Sequence, residues 1–325
     1  MAQASSAVVV QGTQTRKQRG VVTRARVFLR KHGFYYLLFL PAALYFLIFK
    51  YLPMFGLVIA FKDVSPFSGL DGILYEPFVG FKHFINFFNS YFFWDIMENT
   101  IMISLWKTLW GFPAPILLAL LINEVRHTFF KRTVQTISYL PHFLSMVIVA
   151  GLVYVVLGVQ GGLVNHVVRL FGGEPQNFLG NPQYFRTILV TTTVWQTVGW
   201  GSILYLAAMA NLNPELYEAA MIDGANKLQQ AWAITLPGIS YVIVILLIFR
   251  IGDLLDAGFE QILLLYSPSV YEVADIIDTY VYRAGLLSLK YSFGTAVGLF
   301  KSLLALILLL VANKVAHRLG HTGIW

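Results

Sequence analysis

The sequence predicts an all-α, polytopic membrane protein with six transmembrane helices. Three observations predict it. Of 325 residues, 57% are hydrophobic and 12% charged, where soluble domains run near a quarter charged. Six apolar stretches are each long enough to cross a hydrocarbon core, which takes about 20 helical residues. The bases are unevenly placed as well: residues 1–33 carry Arg16, Lys17, Arg19, Arg24, Arg26, Arg30 and Lys31 and no acid. That distribution suits anionic lipid rather than nucleic acid, despite the net charge of +7.

Residues 1–33 read as a basic cytoplasmic tail and 34–325 as one six-helix membrane domain. The tail leads into an apolar run too long for a cleaved signal peptide, and no small-residue cleavage site ends it. The spans fall near 34–60, 99–122, 134–157, 187–210, 236–257 and 291–313. Pro41 and Pro53 lie in span one, and Pro113 and Pro115 in span two, where neighbouring helices supply partners for the freed backbone groups. With the N-terminus inside, Arg126, Lys131, Arg132, Lys227, Lys314 and Arg318 join the tail on the cytoplasmic side, while acids outnumber bases in the external loops. This positive-inside pattern places both termini in the cytoplasm. The first external loop contains FVGFKHFINFFNSYFFWD (78–95), with aromatics spaced as on one helix face. It reads either as an interfacial helix at an outer vestibule or as an ordinary aromatic belt.

The loop 211–235, between spans four and five, is polar and helix-prone. Asn213-Pro214-Glu215 has the form of a helix start: a capping side chain, a proline in the first turn, then an acid. Leu216, Ala219, Ala220 and Asp223 follow at three-to-four-residue spacing, and the small alanines allow close approach of a partner surface. Asp223-Gly224 signals a turn. A second helical stretch covers 225–235, and Leu236-Pro237 opens span five. Two short helices joined at a glycine suit docking to a cytoplasmic protein; an amphipathic linker floating at the interface is the alternative.

Within YEAAMIDGANKLQQAWAITLPG (217–238), the residues Glu218, Ala219, Ala220, Gly224, Ile234, Leu236 and Pro237 match all seven fixed positions of a known signature. The chain thereby resembles the permease subunits of ATP-binding-cassette importers. Phe93-Trp94-Asp95 through Asn99-Thr100 is similar to a segment of the sugar-importing permeases, and the chain beyond its tail looks like the branch that handles oligo- and polysaccharides such as alginate. The resemblance implies the type I importer permease fold and a place in the bacterial inner membrane. It implies four kinds of partner: a second, homologous permease forming a heterodimer, an ATPase subunit dimer that holds ATP and Mg, an extracytoplasmic solute-binding protein, and the saccharide. It also implies that 213–227 is the coupling helix, with Glu218 pairing to a base of the ATPase, Ala219, Ala220 and Met221 packing there, Asp223 and Gly224 making the turn, and Ile234, Leu236 and Pro237 completing the signature. The sequence agrees in one respect: it has no G-x-x-x-x-G-K-[ST] loop to cradle nucleotide phosphates.

Charges inside a membrane are costly and usually functional. Lys50, Lys107, Arg250, Asp253, Asp256 and Lys301 are the candidates here. Lys50 and Asp256 lie near span ends, where snorkelling accounts for them. Arg250 and Asp253, three apart on span five, either neutralise each other or face a translocation path, with Asp256 one turn beyond. Span four supplies Trp195, Gln196, Thr197, Trp200 and Tyr205; Trp195, Gln196 and Trp200 suit a sugar's C–H faces and hydroxyls, or alternatively pack against lipid and helices. Lys107, Arg250 and Lys301 would balance an acidic polysaccharide.

Other chemistry is excluded or weakly indicated. There is no cysteine, hence no disulfide, thiolate metal site or Cys nucleophile. His317 and His321 form the one i, i+4 histidine pair, better read as solvated than as metal ligands. No carboxylate or Ser/His constellation argues for an enzyme. The expectation is a transport subunit that binds no cofactor or metal itself. An ion-driven secondary transporter, or an importer permease for a neutral oligosaccharide or other solute, are the alternatives.

Overall fold

The computed structural model describes residues 32–318 and Gly320; the tail bases and His321 lie outside the described residues. It divides into two units, residues 1–58 and 59–325. The described part of the first is helical and belongs to α1 (His32–Phe61). Pro53 has no N–H to bond the preceding turn. The helix passes it by widening to a π turn over Leu47–Tyr51 and tightening to a 3-10 turn over Phe55–Phe61.

The second unit continues with α2 (Gly69–Tyr75), α3 (Lys82–Phe88), α4 (Phe93–Gly111) and α5 (Pro113–Glu124). There follow α6 (Thr128–Phe143), α7 (Met146–Leu157), α8 (Leu163–Leu170), α9 (Pro182–Met209) and α10 (Pro214–Ile222). The chain closes with α11 (Lys227–Gly238), α12 (Ser240–Gly252), α13 (Phe259–Leu265), short helical turns over 268–287, and α14 (Tyr291–Arg318). Among the described residues there is no strand, and Lys62 and Phe78 make an isolated bridge.

Helix α1, the pair α4–α5 and α14 are long and apolar enough to cross a membrane; counting the bent pairs α6–α7 and α11–α12 as one span each gives five. The sixth expected span, 187–210, is the 28-residue α9, about 42 Å long at the α-helical rise. Its composition is more polar because it is the central helix, buried at Phe185, Leu189, Gln196, Gly199, Ser202 and Tyr205 along its length and packed on α4, α5 and α6. Its threonines turn inward on the helix: the Thr191, Thr193 and Thr197 hydroxyls each donate to a carbonyl four residues back at 2.8 Å. Gly199 permits the closest crossing, since a Cβ there would fall on the Ser138 carbonyl of α6.

Two expected spans are not continuous. Span three (134–157) is broken by a 104° bend between α6 and α7. Pro141 opens a 3-10 turn there and Ser145 caps the next helix by accepting from the Ile148 N–H. Span five (236–257) bends by 65° after Pro237-Gly238 and ends at Gly252. Asp253 is therefore the cap residue of α12 and Asp256 lies in the following turn, so these acids do not extend a helical strip from Arg250. Among the described residues four buried clusters hold the unit together; the largest joins Ile103 of α4, Phe185 and Leu189 of α9, and Ile262 and Leu265 of α13.

Candidate coupling and translocation sites

The segment expected to dock outward is ordered by local bonds. Asn213 Oδ1 accepts from the Glu215 N–H at 3.1 Å, with Pro214 in the first turn. Helix α10 ends at Gly224, whose φ of +80° suits glycine. The Ala225 N–H closes the turn on the Ala220 carbonyl at 2.8 Å. Asn226 and Gln229 then form a reciprocal capping box that starts α11. Longer bonds seat the pair: Tyr217 Oη lies 2.9 Å from Thr235 Oγ1, and Lys227 Nζ lies 3.1 Å from Glu124 Oε2 at the end of α5.

No residue of α10 is buried, and Ile222 is 88% exposed. Leu216 and Met221 are exposed too. Among the described residues Glu218 has no ion-pair partner. The expected coupling residues divide by place: Glu218, Ala219, Ala220, Met221, Asp223 and Gly224 form the exposed helix and its turn. Ile234 and Leu236 are half-buried, with Leu236 packed against the cluster of Tyr205, Met209 and Ile239, and Pro237 precedes the 65° bend.

Within the membrane domain, four of the expected path residues share one cavity of about 460 Å³: Lys107, Gln196, Arg250 and Asp256. Lys107 is 4% exposed. Its ammonium donates to the Ala257 carbonyl at 2.8 Å and to Gln261 Oε1 at 2.6 Å. Gln261 Oε1 also lies 3.0 Å from Thr193 Oγ1, while its amide donates to the Leu189 carbonyl at 3.1 Å. A buried cation thus pins the turn after α12 to the centre of α4. Gly258 in that turn has φ +88°, and a Cβ on it would lie 2.6 Å from Lys107 Nζ. Arg250 Nε donates to Thr108 Oγ1 at 3.1 Å, and Gln196 Nε2 to the Leu144 carbonyl at 3.2 Å.

The remaining three lie elsewhere. Trp195 lines an apolar groove of about 740 Å³ with Trp106, Trp110 and Arg186. Trp200 stacks on His142, centroids 4.6 Å apart. Asp253 lines a second polar cavity of about 340 Å³ that contains Asp278 and Lys301 and meets the first at Asp256. Lys301 is neutralised there by both Asp278 oxygens at 2.6–2.7 Å. Gln261, Thr193 and Asp278 escaped the sequence reading. Gln261, 2% exposed, and Asp278 fall in a stretch that reads as external loop. Thr193 bore a signal in the run Thr191-Thr192-Thr193 inside an otherwise apolar span.

Residues 111–321 match the family model described as binding-protein-dependent transport system inner membrane component. The chain belongs to that family. It is 49% identical over 302 residues, 93% of each chain, to the polygalacturonan/rhamnogalacturonan transport system permease protein YteP of Bacillus subtilis (strain 168). To LplB of the same strain it is 45% identical over 297 residues, 91% of this chain and 92% of LplB. Among solved structures, a bacterial ABC transporter involved in import of the acidic polysaccharide alginate contains a chain 43% identical, with a TM-score of 0.84, covering 91% of this chain and 99% of that one. A bacterial alginate ABC transporter in complex with an alginate pentasaccharide-bound periplasmic protein contains a chain that matches with a TM-score of 0.83, again at 43% identity and covering 91% of this chain and 98% of that one. The protein is thus a permease of a sugar-importing ABC transporter with the type I permease fold, a transport component and not an enzyme. The ion-driven alternative is set aside.

Proposed function

We propose that this permease carries acidic oligo- or polysaccharides across the inner membrane, with uronate polymers such as alginate oligosaccharides as substrate, and that α10 transmits the driving motion. The observation that carries the proposal is the uncovered helix Pro214–Ile222, with its exposed Glu218, Leu216, Met221 and Ile222. Such a surface suits a groove on an ATPase subunit. ATP and Mg act on that subunit. When the ATPase dimer closes, α10 moves as a rigid handle, and the bond from Tyr217 to Thr235 and the packing of Leu236 pass the motion to α12. A second, homologous permease completes the passage, a solute-binding protein delivers substrate from outside, and both termini lie in the cytoplasm.

The path is assigned to the two polar cavities that meet at Asp256. Lys107, Gln196, Arg250, Asp253 and Asp256 line them, and Trp195 supplies an aromatic face on the other side of α9. Trp200 is instead stacked on His142. Support for an acidic substrate comes from the relatives, one a polygalacturonan/rhamnogalacturonan transport system permease and another part of an alginate importer. The test is co-purification from native membranes followed by ATPase assays with mannuronate, galacturonate and maltose oligomers. The expected result is one related permease, an ATPase dimer and stimulation by the uronates. Stimulation by maltose oligomers alone overturns the acidic-substrate assignment.

A further inference from the structure

A cavity of about 740 Å³ opens at the end of the second unit opposite α10. The α4–α5 pair fixes this placement: Glu124 at its one end pairs with Lys227, and Phe93 at the other packs on Phe87 of α3, the helix that forms one wall. The opposite walls begin at Asp63, just past the end of α1 at Phe61, and at Lys290, just before the start of α14 at Tyr291. The long apolar helix α14 thus starts at this cavity, which puts it at the depth of lipid headgroups.

The lining carries charges of both signs. Lys82 and Asp63 are paired at 2.5 Å, and the Lys82 hydrogen bond holds the Asp63 carboxyl below the usual carboxylate range. Two further charges have no ion-pair partner among the described residues: Lys290, which is exposed, and Glu76, which accepts from Ser68 Oγ at 2.8 Å. One free cation and one free anion on a single cavity suit a zwitterion.

The surroundings are apolar. Helix α3 turns Lys82, His83 and Asn86 to the cavity, while Phe81, Ile85 and Phe88, one helical face apart, are exposed. Beside Lys290, Leu286, Leu287 and Leu289 are 52%, 61% and 45% exposed. Leu289 lines the cavity and is the one described non-glycine residue at positive φ, +57°. A leucine is held in a backbone conformation that glycine or asparagine normally fills. A saccharide in water would meet the polar lining but leave these side chains wet, whereas acyl chains would cover them.

We infer that this cavity binds the headgroup of a zwitterionic phospholipid bearing a primary ammonium: Lys290 takes the phosphate, Glu76 the ammonium, and the acyl chains lie along Leu286, Leu287 and Leu289. The site is independent of which saccharide the permease carries.

The test reconstitutes the intact importer into nanodiscs of phosphatidylethanolamine, phosphatidylcholine or phosphatidylglycerol and measures retained lipid by native mass spectrometry. Retention of phosphatidylethanolamine is expected to exceed that of the other two by about tenfold, and Glu76→Gln with Lys290→Ala to erase the preference. Leu289→Gly, which relaxes the backbone while removing an acyl contact, is expected to weaken retention without lowering the thermal stability of the complex. Equal retention of the three lipids, or an unchanged preference in the double variant, overturns the site. Displacement by free phosphoethanolamine as readily as by a short-chain phosphatidylethanolamine overturns the acyl contacts and makes it a soluble-ligand site. Displacement by a mannuronate trisaccharide without any lipid preference overturns it in favour of a saccharide site.

Discussion

The α10 segment and the Lys107 cavity are both polar features of an apolar chain, yet they are built in opposite ways. Around α10 the organising bonds are short in sequence: Asn213 to Glu215, Ala225 to Ala220, Asn226 to Gln229. Around Lys107 they span much of the chain, from α4 to the turn after α12 and from α9 to α13. The first region leaves its side chains exposed. The second satisfies its charge internally, as a low-dielectric interior demands. A surface region therefore fails by losing a partner, and a buried one by losing its own structure.

The largest effect that tests this contrast is Glu218→Lys. Reversing an exposed charge should leave membrane levels and thermal stability near wild type while substrate-stimulated ATPase activity of the assembled importer falls by about tenfold or more. Normal stimulated activity would remove Glu218 from the coupling role. Lys107→Met should do the reverse. It strips the Ala257 carbonyl and Gln261 Oε1 of a buried donor, a loss of about 1–3 kcal/mol for each acceptor left bare. The readout is the unfolding temperature of the purified complex, and an unchanged temperature would show that the cation does not pin the turn.

The same contrast decides what was legible in the sequence. Asn213, Pro214, Gly224 and the apolar stretches announce local structure by residue type, and α10 has the cap and the turn they predict. Helix existence was legible because hydrophobic runs need no distant information. The bends after Phe143 and Gly238 were not, since prolines are tolerated in membrane helices where neighbours satisfy the freed backbone groups. The candidate path was legible in part. Lys107, Gln196, Arg250 and Asp256 converge, but Trp200 is occupied with His142 and Asp253 faces the second cavity. Gln261 and Asp278 were hidden because the stretch after α12 reads as a loop, whereas the fold carries it back to bury Gln261 beneath Lys107 and pair Asp278 with Lys301.

A smaller effect is expected at Gly224. A Cβ there meets nothing within 4 Å, so the cost of Gly224→Val is backbone strain at φ +80° alone, about 1–2 kcal/mol for a left-handed residue. That strain should unravel the end of α10 and lower stimulated ATPase activity several-fold. Gly224→Asn should retain most of it, because asparagine tolerates the left-handed region. Equal loss in both variants would mean that the partner, rather than the turn, requires glycine.

The smallest effect sharpens the comparison most. Lys227 and Glu124 tie the segment to the end of α5, but their side chains are 56% and 40% exposed, and such pairs contribute less than about 1 kcal/mol. Lys227→Ala should change transport less than twofold, and raised salt should change the wild type no further than it changes the variant. If instead Lys227→Ala matched Glu218→Lys in its loss of stimulated ATPase activity, the segment would be held in place by its own membrane domain, and its exposed face would no longer need a second protein to explain its geometry.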